Sequence, residues 1–145
     1  GFLKYLFPNS KIIHSQRNIN DTALSIYKNL FLLNSYKWSN DKDTIAQYIS
    51  LYKKIMKFWS DEFKDDIFHN DYHELINNPI EQTKKIFTFC DLEWDDTLIH
   101  VQNSKVRINT ISAFQARKPI YNNSINYYKN YENLTDLFSK IKTYK

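Results

Sequence analysis

The sequence has 145 residues, of which 42% are hydrophobic and 17% aromatic, so it is one domain or part of one with enough apolar content for a folded core. Its single cysteine, Cys90, excludes an intramolecular disulfide bond and a cysteine-based zinc site, and favours a reducing, cytoplasmic location. The net charge of +4 fits either a solvated lysine-rich surface or attraction for an anionic ligand such as a nucleotide, and charge alone does not choose between them.

The first predicted element is a strand at Lys11–His14. This short apolar run is typical of a buried strand, and it follows the turn signal Pro8-Asn9-Ser10. A polar loop follows, and Asn20 or Asp21 is expected to cap the next helix. The apolar residues of that helix recur at helical spacing; they are Leu24, Tyr27, Leu30 and Phe31. This strand–loop–helix unit is typical of half of a parallel α/β layer.

A second helix is predicted to begin at a cap formed by Asp43-Thr44. Its apolar stripe follows a near-ideal i, i+3, i+4, i+7 pattern, which indicates core packing rather than chemistry. The stripe consists of Ile45, Tyr48, Ile49, Tyr52, Ile55, Met56 and Trp59.

The second half predicts another strand, over residues 66–72, followed by a short turn at 74–76. Pro79 suits the start of a helix that runs to about Cys90. Residues 103–120 are irregular and polar, and residues 122–145 predict two short amphipathic helices. The alternation predicts an α/β fold, but two strands are too few for a complete sheet, so we interpret the chain as half of an α/β domain. No apolar run approaches the roughly 20 residues that a membrane-spanning helix needs.

Glycine is almost absent, since Gly1 is the one glycine in the sequence. Phosphate-binding loops need glycines so that several backbone N–H groups can converge on one anion. The sequence therefore contains no Walker A loop and no dinucleotide-binding fingerprint. If the protein binds a nucleotide, other residues must supply part of the site.

The first polar group that suggests chemistry is Arg17-x3-Asp21-x3-Ser25. Arg17 follows a predicted strand and Ser25 lies one turn inside the next predicted helix, and ligands of open α/β sheets collect at the carboxyl ends of strands. A helix N-terminus and the arginine fork both favour a phosphate. The alternative is a surface arginine beside a capped helix, and the spacing leaves both open.

The second group lies in the segment Ser112-Ala113-Phe114-Gln115-Ala116-Arg117-Lys118-Pro119, where adjacent cations suit a phosphate clamp but also an ordinary solvated loop. Tyr72, at the end of the second predicted strand, either contacts a nucleotide base or belongs to the core. The four histidines show no metal-binding spacing, so no metal site is expected.

Four segments, in order along the chain, resemble the sulfotransferases that use 3′-phosphoadenylyl sulfate (PAPS). Phe7-Pro8-Asn9-Ser10-Lys11-Ile12-Ile13-His14, followed by Arg17-Asn18-x-x-Asp21-Thr22-x-x-Ser25-Ile26-Tyr27, resembles their 3′-phosphate-binding motif. Tyr72-His73-Glu74-Leu75-Ile76 resembles their Tyr-Glu-Asp-Leu-Val segment, and Phe89-Cys90-Asp91-Leu92-x-Trp94-Asp95 resembles their Phe-Cys-Gly-Leu-x-Trp-Asp run. Thr110-x-Ser112-x-x-Gln115-x-Arg117-Lys118-Pro119-Ile120-Tyr121 resembles their later cofactor loop.

The resemblance implies a P-loop-like α/β sulfotransferase fold, with a parallel sheet flanked by helices, of which residues 1–145 would be the C-terminal part of a single domain. It implies PAPS as co-substrate, 3′,5′-ADP as product, no metal, and an acceptor hydroxyl or amine on a protein tyrosine, a carbohydrate or a small molecule. The branches that it suggests are the bacterial enzymes linked to tetratricopeptide repeats and the tyrosylprotein sulfotransferases, and the first of these implies a repeat region upstream in a full-length protein.

The resemblance also implies roles for particular residues. Arg17 and Ser25 would hold the 3′-phosphate, and Tyr72 would contact the cofactor. Ser112 would stabilise the sulfuryl group in the transition state, and the loop that closes over the nucleotide would include Gln115, Arg117 and Lys118. The strand–loop–helix that binds the 5′-phosphosulfate and the catalytic base would both precede this chain, so these residues alone are expected to be inactive.

One departure from the family pattern concerns the backbone. Asp91 stands where the family has glycine, so an aspartate must adopt the left-handed turn there. The alternative function is a non-catalytic nucleotide-binding or interaction module derived from the same fold. Nucleic-acid binding is disfavoured because the cations are dispersed along the chain and most aromatic residues lie in apolar stripes.

Overall fold

The computed structural model describes residues 1–29, 31, 34–96 and 125–144. Its helices are α1 (Phe2–Leu6), α2 (Ile19–Lys28), α3 (Lys42–Glu62), α4 (Tyr72–Asn77), α5 (Pro79–Phe89) and α6 (Thr135–Thr143). Its strands are β1 (Ile12–Gln16) and β2 (Ile67–Asp71), and short 3₁₀ segments cover Asn34–Asn40, Tyr127–Asn130 and Glu132–Leu134. Among these residues no helix has both the length and the apolar character needed to cross a bilayer.

The two strands pair in parallel, with Ile12 opposite Ile67 and Gln16 opposite Asp71. Helices α2 and α3 form the crossover that parallel pairing requires. Helix α3 covers one face of the strands, where Tyr52 hydrogen-bonds to His14, and α5 covers the other, where Phe89 packs on Phe68. The predicted α/β fold, a parallel sheet flanked by helices, is confirmed.

A hydrophobic core joins α2, α3 and α6. Helix α6 brings the C-terminal segment of the chain onto the two crossover helices, so residues far apart in sequence share one apolar interior. The buried members are Ala23, Leu24, Ile45, Ala46, Ile49, Leu137, Phe138 and Ile141. Two ion pairs flank this core, Lys42 with Asp136 at 2.9 Å and Lys140 with Asp43 at 2.5 Å.

Both predicted helix caps were wrong by two or three residues. Asn18 caps α2, since its side chain accepts hydrogen bonds from the N–H groups of Asn20 and Asp21 at 2.9 and 3.3 Å. Asp41 caps α3 by accepting the N–H of Thr44 at 2.9 Å. Several Asn and Asp residues precede each helix, and composition does not show which one keeps non-helical backbone angles.

β1 is less buried than its apolar sequence predicted. Ile13 is 43% exposed, because within the described residues β1 pairs only with β2 and so lies at an edge of the sheet. The predicted core stripe of α3 is likewise divided: Ile45 and Ile49 are buried, whereas Tyr48 is 50% exposed and Ile55 44% exposed.

The predicted left-handed aspartate is confirmed at the end of α5, where Asp91 has φ of +56°. Its N–H donates to the carbonyl of Thr88 at 3.1 Å, and the N–H of Leu92 donates to the carbonyl of Phe87 at 2.9 Å. These two bonds form a Schellman motif, which satisfies the last carbonyls of the helix. The turn predicted at 74–76 is instead part of α4, whereas the helix predicted to start at Pro79 is confirmed as α5.

Candidate functional site

Arg17 and Tyr72 lie side by side at the carboxyl edge of the sheet. Each is the first residue after a strand, and the parallel register that sets Gln16 opposite Asp71 brings them together. The guanidinium carbon of Arg17 lies 5.3 Å from the centre of the Tyr72 ring, a cation–π contact. Both side chains are half-buried. Two residues that are 55 positions apart in sequence thus present one cation and one aromatic ring at the same edge.

Helix α2 begins two residues after Arg17, so its N-terminal end, which carries a partial positive charge, lies beside the same edge. Ser25 is the seventh residue of α2, nearly two turns from its start rather than the one turn predicted, and it is exposed. Thr22, three residues earlier on the same side of the helix, lines the cavity described next.

A cavity of about 310 Å³ opens beside Arg17. This volume is at the lower end of the range typical of small-molecule sites. Its polar rim comes from the end of β1 and from α2, and its apolar wall comes from the helices of the crossover. The lining residues are Ser15, Gln16, Arg17, Ile19, Thr22, Ile26, Trp38, Tyr48, Ile49 and Tyr52.

Aromatic side chains form much of the cavity wall. Trp38 and Tyr48 are stacked, with ring centres 4.0 Å apart and an interplanar angle of 5°. Tyr48 and Tyr52 belong to the apolar stripe of α3, which predicted core packing without chemistry, and no sequence pattern predicted a role for Trp38. Their helical spacing is the same whether a helix face meets the core or a cavity, so the pattern could not separate the two.

A chain of polar side chains runs from this wall across the sheet. Tyr52 Oη lies 2.5 Å from His14 Nε2, and His14 Nδ1 lies 2.9 Å from His69 Nδ1 on the neighbouring strand. His69 Nε2 in turn lies 3.1 Å from Ser60 Oγ. Burial lowers the pKa of His14, and the adjacent His69 lowers it further. Burial also raises the pKa of Tyr52.

The sequence contained a signal for the histidine pair. His14 precedes Arg17 by three residues, and His69 precedes Tyr72 by three. In two parallel strands of equal register, residues with the same offset from the strand ends must face each other. Recognition of the Arg17–Tyr72 pair would therefore have placed the two histidines together as well.

Asp21, the middle residue of the first predicted group, belongs to the structure of the core rather than to the edge. It is only 3% exposed. Its two carboxylate oxygens accept the backbone N–H groups of Asn126 and Tyr128, each at 2.8 Å. The acidic group therefore fastens the C-terminal segment to α2.

The remaining predicted site residues, Ser112, Gln115, Arg117 and Lys118, lie outside the described residues. Within the residues that the structure describes, no group of three or more His, Cys, Asp or Glu side chains could hold a metal ion.

Comparison with known proteins gives three findings. The model of the Sulfotransferase family matches residues 1–96, a range that contains Arg17, Ser25 and Tyr72. An uncharacterized protein of Aquifex aeolicus (strain VF5) is 31% identical over 134 residues, which are 91% of this chain and 18% of that protein. A protein-tyrosine sulfotransferase of Drosophila melanogaster is 25% identical over 95 residues, which are 66% of this chain and 19% of that protein. The chain thus spans less than a fifth of the length of these curated relatives.

Proposed function

The chain belongs to the sulfotransferase family, and from that premise we propose that it takes part in transferring a sulfuryl group from PAPS to the hydroxyl or amine of an acceptor. PAPS carries a phosphate at the 3′ position of its ribose and an aromatic base. Arg17 offers a bidentate fork for that phosphate, and Tyr72 offers a ring and a hydroxyl for contact with the nucleotide.

One observation carries this proposal: the Arg17 guanidinium lies 5.3 Å from the Tyr72 ring at the carboxyl edge of the strands, beside a cavity of about 310 Å³. A cation held against an aromatic ring has a restricted orientation, so less side-chain freedom is lost when a phosphate binds. The start of α2 adds its helix dipole at the same edge, which favours an anion there. This donor set suits a nucleotide phosphate.

The other proposed roles follow the family resemblance. Ser25 would donate its hydroxyl to the 3′-phosphate, and Gln115, Arg117 and Lys118 would belong to a loop that closes over the nucleotide. Ser112 would stabilise the sulfuryl group as charge develops in transfer. In-line displacement also needs a base and a site for the 5′-phosphosulfate, so the activity proposed is that of the whole protein.

The test compares binding of 3′,5′-ADP and 5′-AMP by calorimetric titration. A hydrogen bond to a charged group contributes about 1.5–3 kcal/mol, so Arg17→Ala should weaken 3′,5′-ADP binding about 10- to 150-fold. Affinity for 5′-AMP, which lacks the 3′-phosphate, should stay close to that of the wild type.

Lys64→Ala is the matched control, because it removes one exposed cation from the turn that precedes β2, at the opposite end of the strand from Tyr72. It should leave both affinities unchanged. Equal losses for both nucleotides in Arg17→Ala would contradict the assignment of Arg17 to the 3′-phosphate. Tight 3′,5′-ADP binding by a protein that forms no 3′,5′-ADP from PAPS with any acceptor would favour the non-catalytic nucleotide-binding module.

A further inference from the structure

A second cavity, of about 370 Å³, opens where the start of α2, the middle of α3 and the end of α6 meet. It adjoins the cavity beside Arg17, since Ile19 lines both. Lys53, Lys54 and Lys142 line it, and we call it the lysine cavity. None of the described residues that line it is acidic. Its lining therefore carries positive charge without a negative side chain to balance it.

The three lysines of this cavity differ from neighbouring lysines on the same helices. Lys57 of α3 and Lys140 of α6 each pair with a carboxylate. Within the described residues, Lys53, Lys54 and Lys142 have no such partner. Like charges that converge on one cavity repel one another, and a bound anion would turn this repulsion into attraction.

Stabilisation of a helix end explains one of these lysines but not the other two. Lys142 lies in the last turn of α6, where a cation interacts favourably with the negative end of the helix dipole. Lys53 and Lys54 lie in the interior of α3, away from both of its ends, so neither has this role. The start of α2 adds the positive end of another helix dipole to the same cavity.

Ser50 gives independent support for a ligand in the lysine cavity. It lines the cavity and is only 8% exposed. In the described part of the chain its hydroxyl has no hydrogen-bond partner. Ser60, on the same helix, instead donates to the carbonyl of Met56 four residues earlier. A buried hydroxyl without a partner lowers stability, so a donor of this kind beside three cations suits a bound anion.

We propose that the lysine cavity is a second anion site, separate from the nucleotide site at Arg17, and that it binds a small molecule carrying a diphosphate group. Lysine binds phosphate as a point charge on a flexible stem. Cations that come from two helices, Lys53 and Lys54 from α3 and Lys142 from α6, suit an anion whose charge is spread over two linked groups. Ser50 adds a neutral donor, and the volume suits a compact ligand.

The probe is inorganic pyrophosphate, titrated calorimetrically into the wild-type protein, with inorganic phosphate as the comparison. Both titrations are made at one ionic strength, because salt screens exposed charges. Pyrophosphate should bind at least about tenfold more tightly than phosphate, since its second group reaches cations that a single phosphate leaves unused. Equal affinities for the two anions would overturn the proposal.

Lys53→Gln combined with Lys142→Gln should weaken pyrophosphate binding about tenfold. Lys64→Gln combined with Lys129→Gln is the matched control, because it removes the same charge from two exposed lysines that do not line the cavity. This control pair should leave the affinity unchanged. Equal losses in the two double variants would overturn the proposal, since they would show only a general attraction of anions to a basic protein.

Ser50→Ala tests the buried hydroxyl in a variant that should fold. Alanine favours a helix and leaves no unpaired buried hydroxyl, so the urea midpoint of unfolding should equal or exceed that of the wild type. Pyrophosphate binding should nevertheless weaken about tenfold, because a hydrogen bond to a charged group is lost. Unchanged binding in this variant would overturn the proposal, since the hydroxyl would then not contact the anion.

Arg17→Ala separates the lysine cavity from the nucleotide site. Pyrophosphate should bind to this variant as tightly as to the wild type. Loss of pyrophosphate binding in Arg17→Ala, with binding kept in the lysine double variant, would overturn the proposal, because the probe would then occupy the nucleotide site. These titrations contain no PAPS and no acceptor, so their outcome does not depend on the proposed function.

Discussion

Replacement of Asp21 by alanine should destabilise the protein far more than its small change in volume suggests. Asp21 is 3% exposed, and it accepts the backbone N–H groups of Asn126 and Tyr128 at 2.8 Å each. These bonds join α2 to a segment more than 100 residues away in sequence. Alanine leaves both N–H groups without their partner, and at the half-buried Tyr128 little water can replace it.

The magnitude follows from these two hydrogen bonds. Loss of one acceptor leaves a buried donor with a desolvation penalty of about 1–3 kcal/mol. Two such donors, one of them in part rescued by water at the exposed Asn126, predict a loss of about 2–5 kcal/mol in the free energy of unfolding. A single domain is stable by only about 5–15 kcal/mol, so this loss is a large fraction of the total.

The assay is equilibrium unfolding in urea, followed by circular dichroism, for the wild type and two variants. Asp136→Ala is the matched control, since the carboxylate of Asp136 pairs with Lys42 on the same group of helices but is 52% exposed. It should cost less than about 1 kcal/mol. If Asp21→Ala costs no more than Asp136→Ala, the reasoning that the buried carboxylate holds the C-terminal segment is refuted.

Two further predictions concern stability. Burial, and then His69, lower the pKa of His14 in the folded chain below its ordinary value of 6.5. At a pH between the lowered pKa and 6.5, the unfolded chain therefore binds more protons than the folded chain. The melting temperature should therefore fall as the pH is lowered below about 6.5, and His14→Gln should flatten this dependence; an equal slope in the variant would contradict it. Asp91→Gly should stabilise the protein by about 0.5–1 kcal/mol and so raise its urea midpoint, because φ of +56° at Asp91 disfavours a residue with a Cβ atom. A lower midpoint would show that the aspartate side chain stabilises the turn.

The parts of the site that the sequence predicted share one property, which is that local signals determine them. A strand end is marked by the change from apolar to polar residues, so Arg17 and Tyr72 could each be placed at the carboxyl end of a strand. Parallel pairing then brings the two ends together without further information. The left-handed Asp91 is local in the same sense, because the hydrogen bonds that form this turn join Asp91 and Leu92 to the last turn of the same helix.

The parts that the sequence did not predict depend on contacts between distant residues. Asp21 was expected at a helix cap because Asp at the start of a helix usually has that role, yet Asn18 takes the cap and the carboxylate of Asp21 points to Asn126 and Tyr128. The spacing of residue types along the sequence does not indicate such a contact, because the partners are backbone N–H groups and these are present in every residue except proline.

Tyr52 shows why periodicity alone cannot assign chemistry on a helix face. Ile45, Ile49 and Tyr52 lie on one stripe of α3. Ile45 and Ile49 are buried in the core, whereas Ile49 and Tyr52 line the cavity. Tyr52 also hydrogen-bonds to His14. The stripe is long because α3 has 21 residues, and it therefore passes from the three-helix core to the two-stranded sheet. A tyrosine on such a stripe is useful at this transition, since its ring packs with the apolar residues and its hydroxyl needs a partner. Polar atoms on an apolar stripe, together with histidines at equal offsets on parallel strands, are thus the features by which such a row of hydrogen-bonded side chains could be recognised in a sequence.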